Sequence, residues 1–296
     1  MLVTFYGVRG SIPAPGPTTV KYGGNTSCVH VRLNGGQNLI FDAGTGIRRL
    51  GLRLAEDREA PVLLVLSHGH WDHIQGYPFF EPIYQPERLI DVIEGVEGNK
   101  VALHGLLKQM DGSNFPVHAE DLPSSINSVP DVPAFLASQD YEIRRMPINH
   151  PGGGYGYRIE EDGVSVVYIT DNELVPPAAP ETPWSEWVEF VRGVDLLIHD
   201  AQYDERDIPE KHGWGHSLIS QVRRLAVDAQ VRNLVMFHHD PERSDGELDE
   251  VAIENARFFK SAGARIGAWI AAEGLTFELA RRKDPRVSTV DLYKSF

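Results

Sequence analysis

A dense group of potential metal ligands occupies residues 67–73, which read Ser-His-Gly-His-Trp-Asp-His. His68 and His70 are two residues apart, so on an extended loop both imidazoles can face one metal ion. Asp72 and His73 follow directly and can turn toward a second ion. Imidazole and carboxylate ligands together suit zinc, manganese or iron. A histidine-rich surface loop is the alternative, but the group comes directly after a short apolar run of the kind that forms a buried strand.

The elements that would hold this loop alternate between strands and helices. The apolar run 62–66 is the strand from whose C-terminal end the histidines depart. Asp162-Gly163, between two strand-like runs, is a strong hairpin signal. The other predicted strands are 2–6, 28–33, 38–41, 89–93, 142–148, 155–161, 164–169, 194–198, 234–237, 265–271 and 275–280. The predicted helices are 47–55, 101–110, 184–191, 218–229 and 247–262.

The segment 247–262 is the clearest amphipathic helix, and its predicted buried face consists of Ala252, Ala256, Phe259 and Ala262. The sequence contains no internal repeat and no glycine/serine linker, so residues 1–296 are predicted to form one domain. Strands in both halves, with helices between them, predict an α/β fold in which two sheets lie between helical layers.

Composition restricts the functional classes. The single cysteine, Cys28, cannot form an intramolecular disulfide, which favours a reducing compartment. We find no signal peptide and no apolar run long enough to span a bilayer, so we expect a cytoplasmic protein without a membrane partner. The net charge of −14 makes long nucleic acid an unlikely partner, because proteins that grip it usually present a basic face. A homodimer is left open.

The motif His-x-His-x-Asp-His after an apolar strand resembles that of the metallo-β-lactamase superfamily. The resemblance implies a four-layer αββα sandwich and two divalent metal ions, with zinc, manganese and iron left open. Residues 41–46, Phe-Asp-Ala-Gly-Thr-Gly, resemble the family's first motif, which implies that Asp42 orients a ligand histidine.

The same resemblance implies the remaining ligands. His150 matches the histidine that completes a site with His68 and His70. Asp171 matches the aspartate that bridges the two metals. The last ligand is His238 or His239, and we favour His238.

Further motifs indicate a branch of this superfamily. His150 is followed closely by Gly-Tyr-Arg-Ile, which resembles the ribonuclease Z and phosphodiesterase branch. The segments around Asp200 and His216 resemble that branch's His-Glu-Ala and Gly-His-Ser-Thr motifs, in which the acidic residue orients a histidine that binds no metal. Here aspartate replaces the usual glutamate, so its reach to His216 is the point to check.

Two segments near the N-terminus resemble bacterial members of the cyclic-nucleotide phosphodiesterase-like group. They are 7–11, Gly-Val-Arg-Gly-Ser, and 22–27, Tyr-Gly-Gly-Asn-Thr-Ser. The resemblance places Arg9 and Asn25 near the substrate, and Arg9 could contact a phosphate. Plain connecting loops are the alternative. Trp71 and Tyr77 are candidates for stacking a base, with packing as the alternative.

The predicted function is a binuclear phosphodiesterase acting on a small phosphodiester, with 3′,5′-cyclic nucleotides as the first candidate. The resemblance implies attack by a hydroxide that bridges the metals, with Asp72 holding or deprotonating it and His216 protonating the leaving oxygen. Asp200 would orient His216.

Three other functions are the alternatives to this prediction. A ribonuclease Z-like RNA-processing nuclease would gain from a basic groove, but the sequence shows no clear counterpart of that enzyme's glycine- and proline-rich arm. A thioester or lactone hydrolase would be favoured if His216 pointed away from the metals. A metal-binding sensor would require a blocked site.

Overall fold

The computed structural model describes residues 1–58, 60–95, 101–280 and 290–294. Two β-sheets pack face to face, and helices cover the outer surface of each sheet. The four-layer αββα sandwich predicted from the sequence is therefore confirmed. No helix among the described residues is long and apolar enough to cross a membrane.

The first sheet has eight strands. They are β1 (Leu2–Gly7), β2 (Cys28–Arg32), β3 (Asn38–Phe41), β4 (Val62–Val65), β5 (Leu89–Ile93), β6 (Ser125–Ser128), β13 (Leu275–Leu279) and β14 (Val290–Lys294). Their order across the sheet is β14-β13-β1-β2-β3-β4-β5-β6. The pairs from β3 to β6 are parallel, and the others are antiparallel.

The second sheet has six strands. They are β7 (Glu142–Pro147), β8 (Tyr155–Glu161), β9 (Val164–Ile169), β10 (Leu196–Asp200), β11 (Asn233–Phe237) and β12 (Gly267–Ile270). Their order is β12-β11-β10-β9-β8-β7. Strands β9 to β12 are parallel, while β7, β8 and β9 form an antiparallel meander.

Helices complete the outer layers. They are α1 (Ile47–Leu54), α2 (Val101–Lys108), α3 (Val132–Ala137), α4 (Trp184–Phe190), α5 (Ile219–Asp228) and α6 (Asp245–Ser261). Helices α1 and α2 contribute to the core outside the first sheet, and α4, α5 and α6 to the core outside the second.

The central core lies between the two sheets and joins their strands by aromatic contacts. Phe41 of β3 packs on Tyr168 of β9 with ring centroids 5.2 Å apart, and Phe5 of β1 packs on Phe237 of β11 at 6.0 Å. These rings come from strands in both sheets. They therefore fix the strand ends of one sheet relative to those of the other, which determines where the side chains after those ends lie.

The buried face of α6 differs from the prediction. The residues that it buries are Leu248, Val251, Asn255 and Phe259. Ala256 and Ala262 are exposed, and Ala252 is half-buried. The prediction counted alanines as apolar and passed over Asn255. The structure satisfies that amide, because its Oδ1 accepts from Arg223 Nε at 2.7 Å. Only Phe259 belongs to both faces.

Three of the described strands and helices, β6, α3 and β14, were not predicted. Strand β6 is polar and mostly exposed at the end of its sheet, so it lacks the alternation that marks a half-buried strand. Helix α3 has only six residues. Strand β10 also lies two residues later than predicted, so that Asp200 ends the strand rather than following it.

Candidate metal centre and active site

The candidate site forms where strand ends from both sheets meet. Asp42 follows β3, the 67–73 loop follows β4, Asp171 follows β9, and His238 follows β11. The φ angles are 61° at Asp42, 49° at Asp171 and 59° at His238. Non-glycine residues rarely adopt this left-handed backbone, and such residues concentrate at functional sites. The sharp turns bring these side chains to one end of the sandwich.

We call His68, His70, His150 and Asp171 the first cluster. One nitrogen or oxygen atom from each residue lies within 4.8 Å of the corresponding atoms of the others. The Nε2 atom of His150 is 3.0 Å from Nδ1 of His70. The structure thus brings together the histidines and the aspartate that the resemblance assigned to one metal.

We call Asp72, His73, Asp171 and His238 the second cluster, whose ligand atoms also lie within 4.8 Å of one another. The Oδ2 atom of Asp72 is 3.2 Å from His73 Nε2 and 3.3 Å from His238 Nε2. Oδ2 also accepts a hydrogen bond from the backbone N–H of Ser11 at 2.7 Å.

Asp171 belongs to both clusters and presents one oxygen to each. Its Oδ2 is 3.6 Å from His68 Nε2 and 3.8 Å from His150 Nε2. Its Oδ1 is 3.1 Å from both His73 Nε2 and His238 Nε2. This is the arrangement expected of a carboxylate that bridges two cations.

The residues of both clusters fit divalent metal ions. The Nε2 atom of His68 is buried and has no hydrogen-bond partner, and that of His73 is buried with carboxylate oxygens at 3.1 and 3.2 Å but without a well-aligned hydrogen bond to either. A buried polar atom without a partner is costly, and here each such nitrogen belongs to a group of potential ligands. The pair of nitrogens from His70 and His150 also needs a proton or a cation between them. Mixed imidazole and carboxylate ligands accept zinc, manganese or iron, so they do not decide which metal binds.

The electrostatics of the first cluster agree with metal binding. Burial lowers the pKa of His68 well below its usual value and lowers that of His150 to about 4. Both imidazoles are therefore neutral at pH 7, as a metal ligand must be. Burial alone would raise the pKa of Asp171, but the neighbouring His238 and His73 outweigh burial and keep the pKa well below the usual value.

In the second cluster, burial alone would lower the pKa of His73. The surrounding Asp171, Asp72 and Asp42 outweigh burial and raise this pKa well above its usual value. The same negative charge favours a cation in place of that proton.

Hydrogen bonds orient the imidazoles of the candidate ligands, as is usual for histidines around metals. Asp42 Oδ2 accepts from His73 Nδ1 at 2.8 Å and from the Tyr168 hydroxyl at 2.7 Å. The Gly215 carbonyl accepts from His150 Nδ1 at 3.0 Å. Asp42 thus contacts a histidine of the second cluster, the position that the resemblance implied.

Gln202 is an orienting residue that the sequence did not reveal. Its Oε1 is 2.9 Å from Nδ1 of His238, and its Nε2 donates to the Ser11 hydroxyl at 3.3 Å. This contact leaves His238 Nε2 directed at the second cluster. No motif marks Gln202, since the contact depends on the adjacency of β10 and β11.

His216 and Asp200 form a pair next to the second cluster. Nδ1 of His216 is 2.9 Å from Asp200 Oδ2, so the aspartate does reach the histidine despite replacing glutamate. The His216 ring stacks on His238 with centroids 5.1 Å apart. Burial alone would lower the pKa of His216, but the Asp200 carboxylate outweighs burial and raises this pKa to about 9. His216 therefore carries a proton at neutral pH.

Glu173 is a second residue that the sequence did not reveal. Its buried carboxylate accepts hydrogen bonds from the backbone N–H groups of Gly213 and Gly215, each at 3.0 Å. It therefore holds the short loop that supplies the carbonyl to His150 and leads into His216. Its position two residues after Asp171 was the only available signal.

Three predicted residues lie elsewhere than in the clusters. The Arg9 side chain is fully buried and donates to the backbone carbonyls of Gly23, Asp240 and Arg243. The guanidinium of Arg9 is therefore hydrogen-bonded inside the protein. We had expected it to contact a substrate phosphate.

Asn25 is likewise engaged, because it donates through its backbone and side chain to Glu273. His239 Nε2 is 2.9 Å from the Ala271 carbonyl, whereas His238 lies in the second cluster as favoured. Of the two aromatic candidates, Tyr77 is fully buried and Trp71 is exposed.

Comparisons with known proteins agree with this geometry. The family model described as beta-lactamase superfamily domain matches residues 37–239. Ribonuclease Z of Natronomonas pharaonis is 26% identical over 301 residues, covering 84% of this chain and 92% of that protein.

Two solved structures share the fold. The metallo-beta-lactamase fold protein YhfI from Bacillus subtilis has a TM-score of 0.64 at 18% identity, with 94% of this chain and 99% of that chain covered. The short form of human tRNase Z has a TM-score of 0.60 at 18% identity, with 95% and 100% covered.

Proposed function

We propose that this chain, which belongs to the beta-lactamase superfamily, is a two-metal phosphodiesterase. The observation that carries the proposal is the position of His216, whose ring stacks on His238 of the second cluster and whose Nδ1 lies 2.9 Å from Asp200 Oδ2. A phosphodiester expels an alkoxide, which leaves readily only when an acid protonates it. Thioesters and lactones need such an acid less, so its position beside the clusters favours a phosphodiester.

The two clusters would hold the metals, with Asp171 contributing to both. When bound, divalent cations polarise a phosphoryl group and lower the pKa of water. Asp72 would hold or deprotonate the attacking water, and the backbone N–H of Ser11 fixes its carboxylate by a hydrogen bond to Oδ2 at 2.7 Å. His216 holds a proton at Nε2 for the leaving oxygen, while Asp200 keeps its Nδ1 engaged.

RNA is the first candidate substrate. Relatives that cover 84% to 96% of this chain are ribonuclease Z proteins, among them that of Natronomonas pharaonis. They support the RNA-processing alternative better than the cyclic-nucleotide function that we predicted first from the sequence. We therefore propose cleavage of RNA as the first reaction to test.

A small phosphodiester is the second candidate, and one observation favours it. The net charge of −14 opposes the binding of a polyanion but matters less for a substrate with a single phosphate. Among small substrates, 3′,5′-cyclic nucleotides remain the first to test.

The test compares three substrates with manganese- or zinc-loaded protein. Bis(p-nitrophenyl) phosphate reports phosphodiesterase chemistry without regard to the natural substrate. A transfer RNA precursor with a 3′ trailer and 3′,5′-cyclic AMP then separate the two candidates. We expect cleavage of the RNA at one position, and loss of all turnover in Asp72→Ala.

Turnover of cyclic AMP without RNA cleavage would replace the first candidate by the second. A metal-loaded protein that leaves all three substrates intact would refute the proposed chemistry. Metal content, measured on the same samples, guards against an unloaded preparation.

A further inference from the structure

We propose that Trp71 and Trp214 form a base-stacking subsite at the mouth of the candidate active site. The subsite would favour phosphodiesters that carry a nucleobase next to the reacting phosphate. The inference rests on the proposed function, because it identifies the group adjacent to the phosphate held at the clusters.

The two indoles are unusually exposed. Trp71 is 68% exposed and Trp214 is 59% exposed, whereas Trp187 is fully buried. The other two of the chain's five tryptophans, Trp184 and Trp269, are half-buried and pack against the apolar cores. Burying an indole is favourable, so a folded protein gains nothing in stability by leaving these two in water.

Both indoles stand on loops that carry site residues. Trp71 lies between His70 of the first cluster and Asp72 of the second. Trp214 directly precedes Gly215, whose carbonyl accepts from His150 at 3.0 Å. His150 in turn lies 3.0 Å from His70. The two tryptophan-bearing loops therefore meet at the first cluster.

The loop that carries Trp214 is held in place. Gly213 and Gly215 have φ angles of 89° and 90°, and both N–H groups donate to the buried Glu173. A Cβ at Gly215 would lie 2.1 Å from His150 Nδ1, so the turn is pressed against the cluster. An aromatic side chain on a fixed loop loses little conformational freedom when it binds a ligand.

Other exposed apolar side chains adjoin the same site. Ile12 follows Ser11, whose N–H donates to Asp72, and Val175 has its carbonyl 3.2 Å from His212 Nε2. Ile12 is 56% exposed and Val175 is 50% exposed. Trp71, Trp214 and Ile12 are thus exposed on segments that carry or contact candidate ligands, and Val175 contacts His212, two residues before Trp214.

The net charge of the chain favours a ligand that binds through an uncharged aromatic group. At a net charge of −14, the surface opposes a nucleotide's phosphate and supplies no general electrostatic attraction. Stacking of a base on an aromatic ring does not depend on charge and strengthens binding by about 5- to 150-fold per base. A neutral aromatic nucleobase is the group that these indoles would recognise on a phosphodiester.

The test uses two matched substrates with manganese-loaded protein. One is the p-nitrophenyl ester of AMP, and the other is the p-nitrophenyl ester of the same ribose 5-phosphate with a methoxy group in place of adenine. For Trp71→Ala and Trp214→Ala we expect KM for the AMP ester to rise by about fivefold or more, with kcat little changed. Constants for the base-free substrate should not move. Trp71→Phe should restore most of the affinity, because phenylalanine also stacks.

A binding measurement keeps the inference separate from the proposed function. Quenching of tryptophan fluorescence by AMP, compared with ribose 5-phosphate, needs no turnover. We expect AMP alone to quench, and the quenching to weaken in Trp71→Ala. A protein that hydrolyses no phosphodiester but shows this difference would refute the proposed function and retain the subsite.

Ile253→Ala is the matched control, since Ile253 is 53% exposed on α6, a helix that carries no residue of either cluster. The subsite is refuted if both tryptophan variants affect the two substrates equally. It is also refuted if they change only the sedimentation coefficient, which would assign the indoles to contact between copies of the chain.

Discussion

At the scale of single residues, Asp171 is the side chain that the two candidate metal clusters share. It offers Oδ2 to His68 and His150 and Oδ1 to His73 and His238. The histidines of each cluster serve one site only. A substitution at Asp171 should therefore weaken metal binding at both clusters, whereas a substitution at one histidine should weaken it at one cluster.

We predict the metal content of three variants after dialysis against trace metal. The wild type should retain two ions, while His150→Ala and His238→Ala should each retain about one. Asp171→Ala should retain fewer than one, because both sites lose a ligand. Plasma mass spectrometry measures the content, with the exposed His118→Ala as control. Two retained ions in Asp171→Ala would contradict the bridging role.

A second residue-scale prediction concerns Asp200 and the pH profile. The aspartate raises the pKa of His216 to about 9, so the acid stays protonated until the pH rises through that value. Asp200→Asn removes the negative charge and lowers this pKa. We expect kcat to fall by about 10²- to 10⁴-fold and its alkaline limb to move to lower pH.

Initial rates between pH 6 and pH 10 provide the profile. Asp228→Asn, which breaks a surface ion pair on α5, is the control and should leave it unchanged. An alkaline limb at the same pH in Asp200→Asn would mean that His216 is not the acid.

At the scale of elements, the loop 213–216 contacts the first cluster and carries the proposed acid. Its Gly215 carbonyl accepts from His150, and its last residue is His216. Glu173→Gln keeps the size of the side chain, but its amide would place NH2 against one of two N–H donors. We expect manganese affinity at the first cluster to fall by about 10- to 100-fold, because His150 loses its fixed carbonyl partner. Titration of metal-free protein measures this affinity, and the exposed Glu181→Gln should match the wild type. Equal affinities in both variants would reduce Glu173 to a purely structural residue.

Helix α6 provides a test of packing. Leu248→Ala should lower the free energy of unfolding by about 2–5 kcal/mol, because Leu248 is buried. Ile253→Ala, on the exposed face of the same helix, should change it by no more than about 0.5 kcal/mol. Urea unfolding of both variants measures the difference. A similar loss in the two would contradict the observed face.

Sequence patterns determined the elements where apolar residues cluster between turns. The bounds of β3, β5, β8 and β9 agree with the prediction. Predictions from sequence patterns failed where a strand or a buried position is polar, as in strand β6 and at Asn255 in α6. The candidate metal ligands could be predicted because the family resemblance implied them and because they lie on loops that follow strands β4, β7, β9 and β11.

The residues that orient the ligands were less accessible from sequence. Gln202 contacts His238 across two neighbouring strands, and such a contact has no fixed spacing along the chain. Arg9 shows the opposite error. A charged residue beside a predicted site suggested a ligand contact, but its guanidinium donates to backbone carbonyls instead.

At the scale of the whole molecule, the negative net charge of the chain opposes the binding of the proposed substrate. The chain carries 42 acidic and 28 basic residues, yet its proposed substrate is an anion. Nucleic-acid enzymes usually solve this problem with a basic surface, and their affinity then falls steeply with salt. Here the attraction would be confined to the metals at the clusters and to the two exposed indoles, which act only at contact distance.

Because binding would depend on the metals and the two indoles, we predict that kcat/KM for RNA changes little with salt concentration. A protein that makes six to ten phosphate contacts loses about 10³- to 10⁵-fold in affinity between about 50 and 200 mM salt. For this chain we expect kcat/KM on an RNA oligonucleotide to change by less than about threefold over that range, because salt screens repulsion as well as attraction. Bis(p-nitrophenyl) phosphate serves as the control for salt effects on chemistry. A steep fall for RNA alone would reveal a basic surface that grips the backbone, and it would overturn the assignment of affinity to metals and stacking.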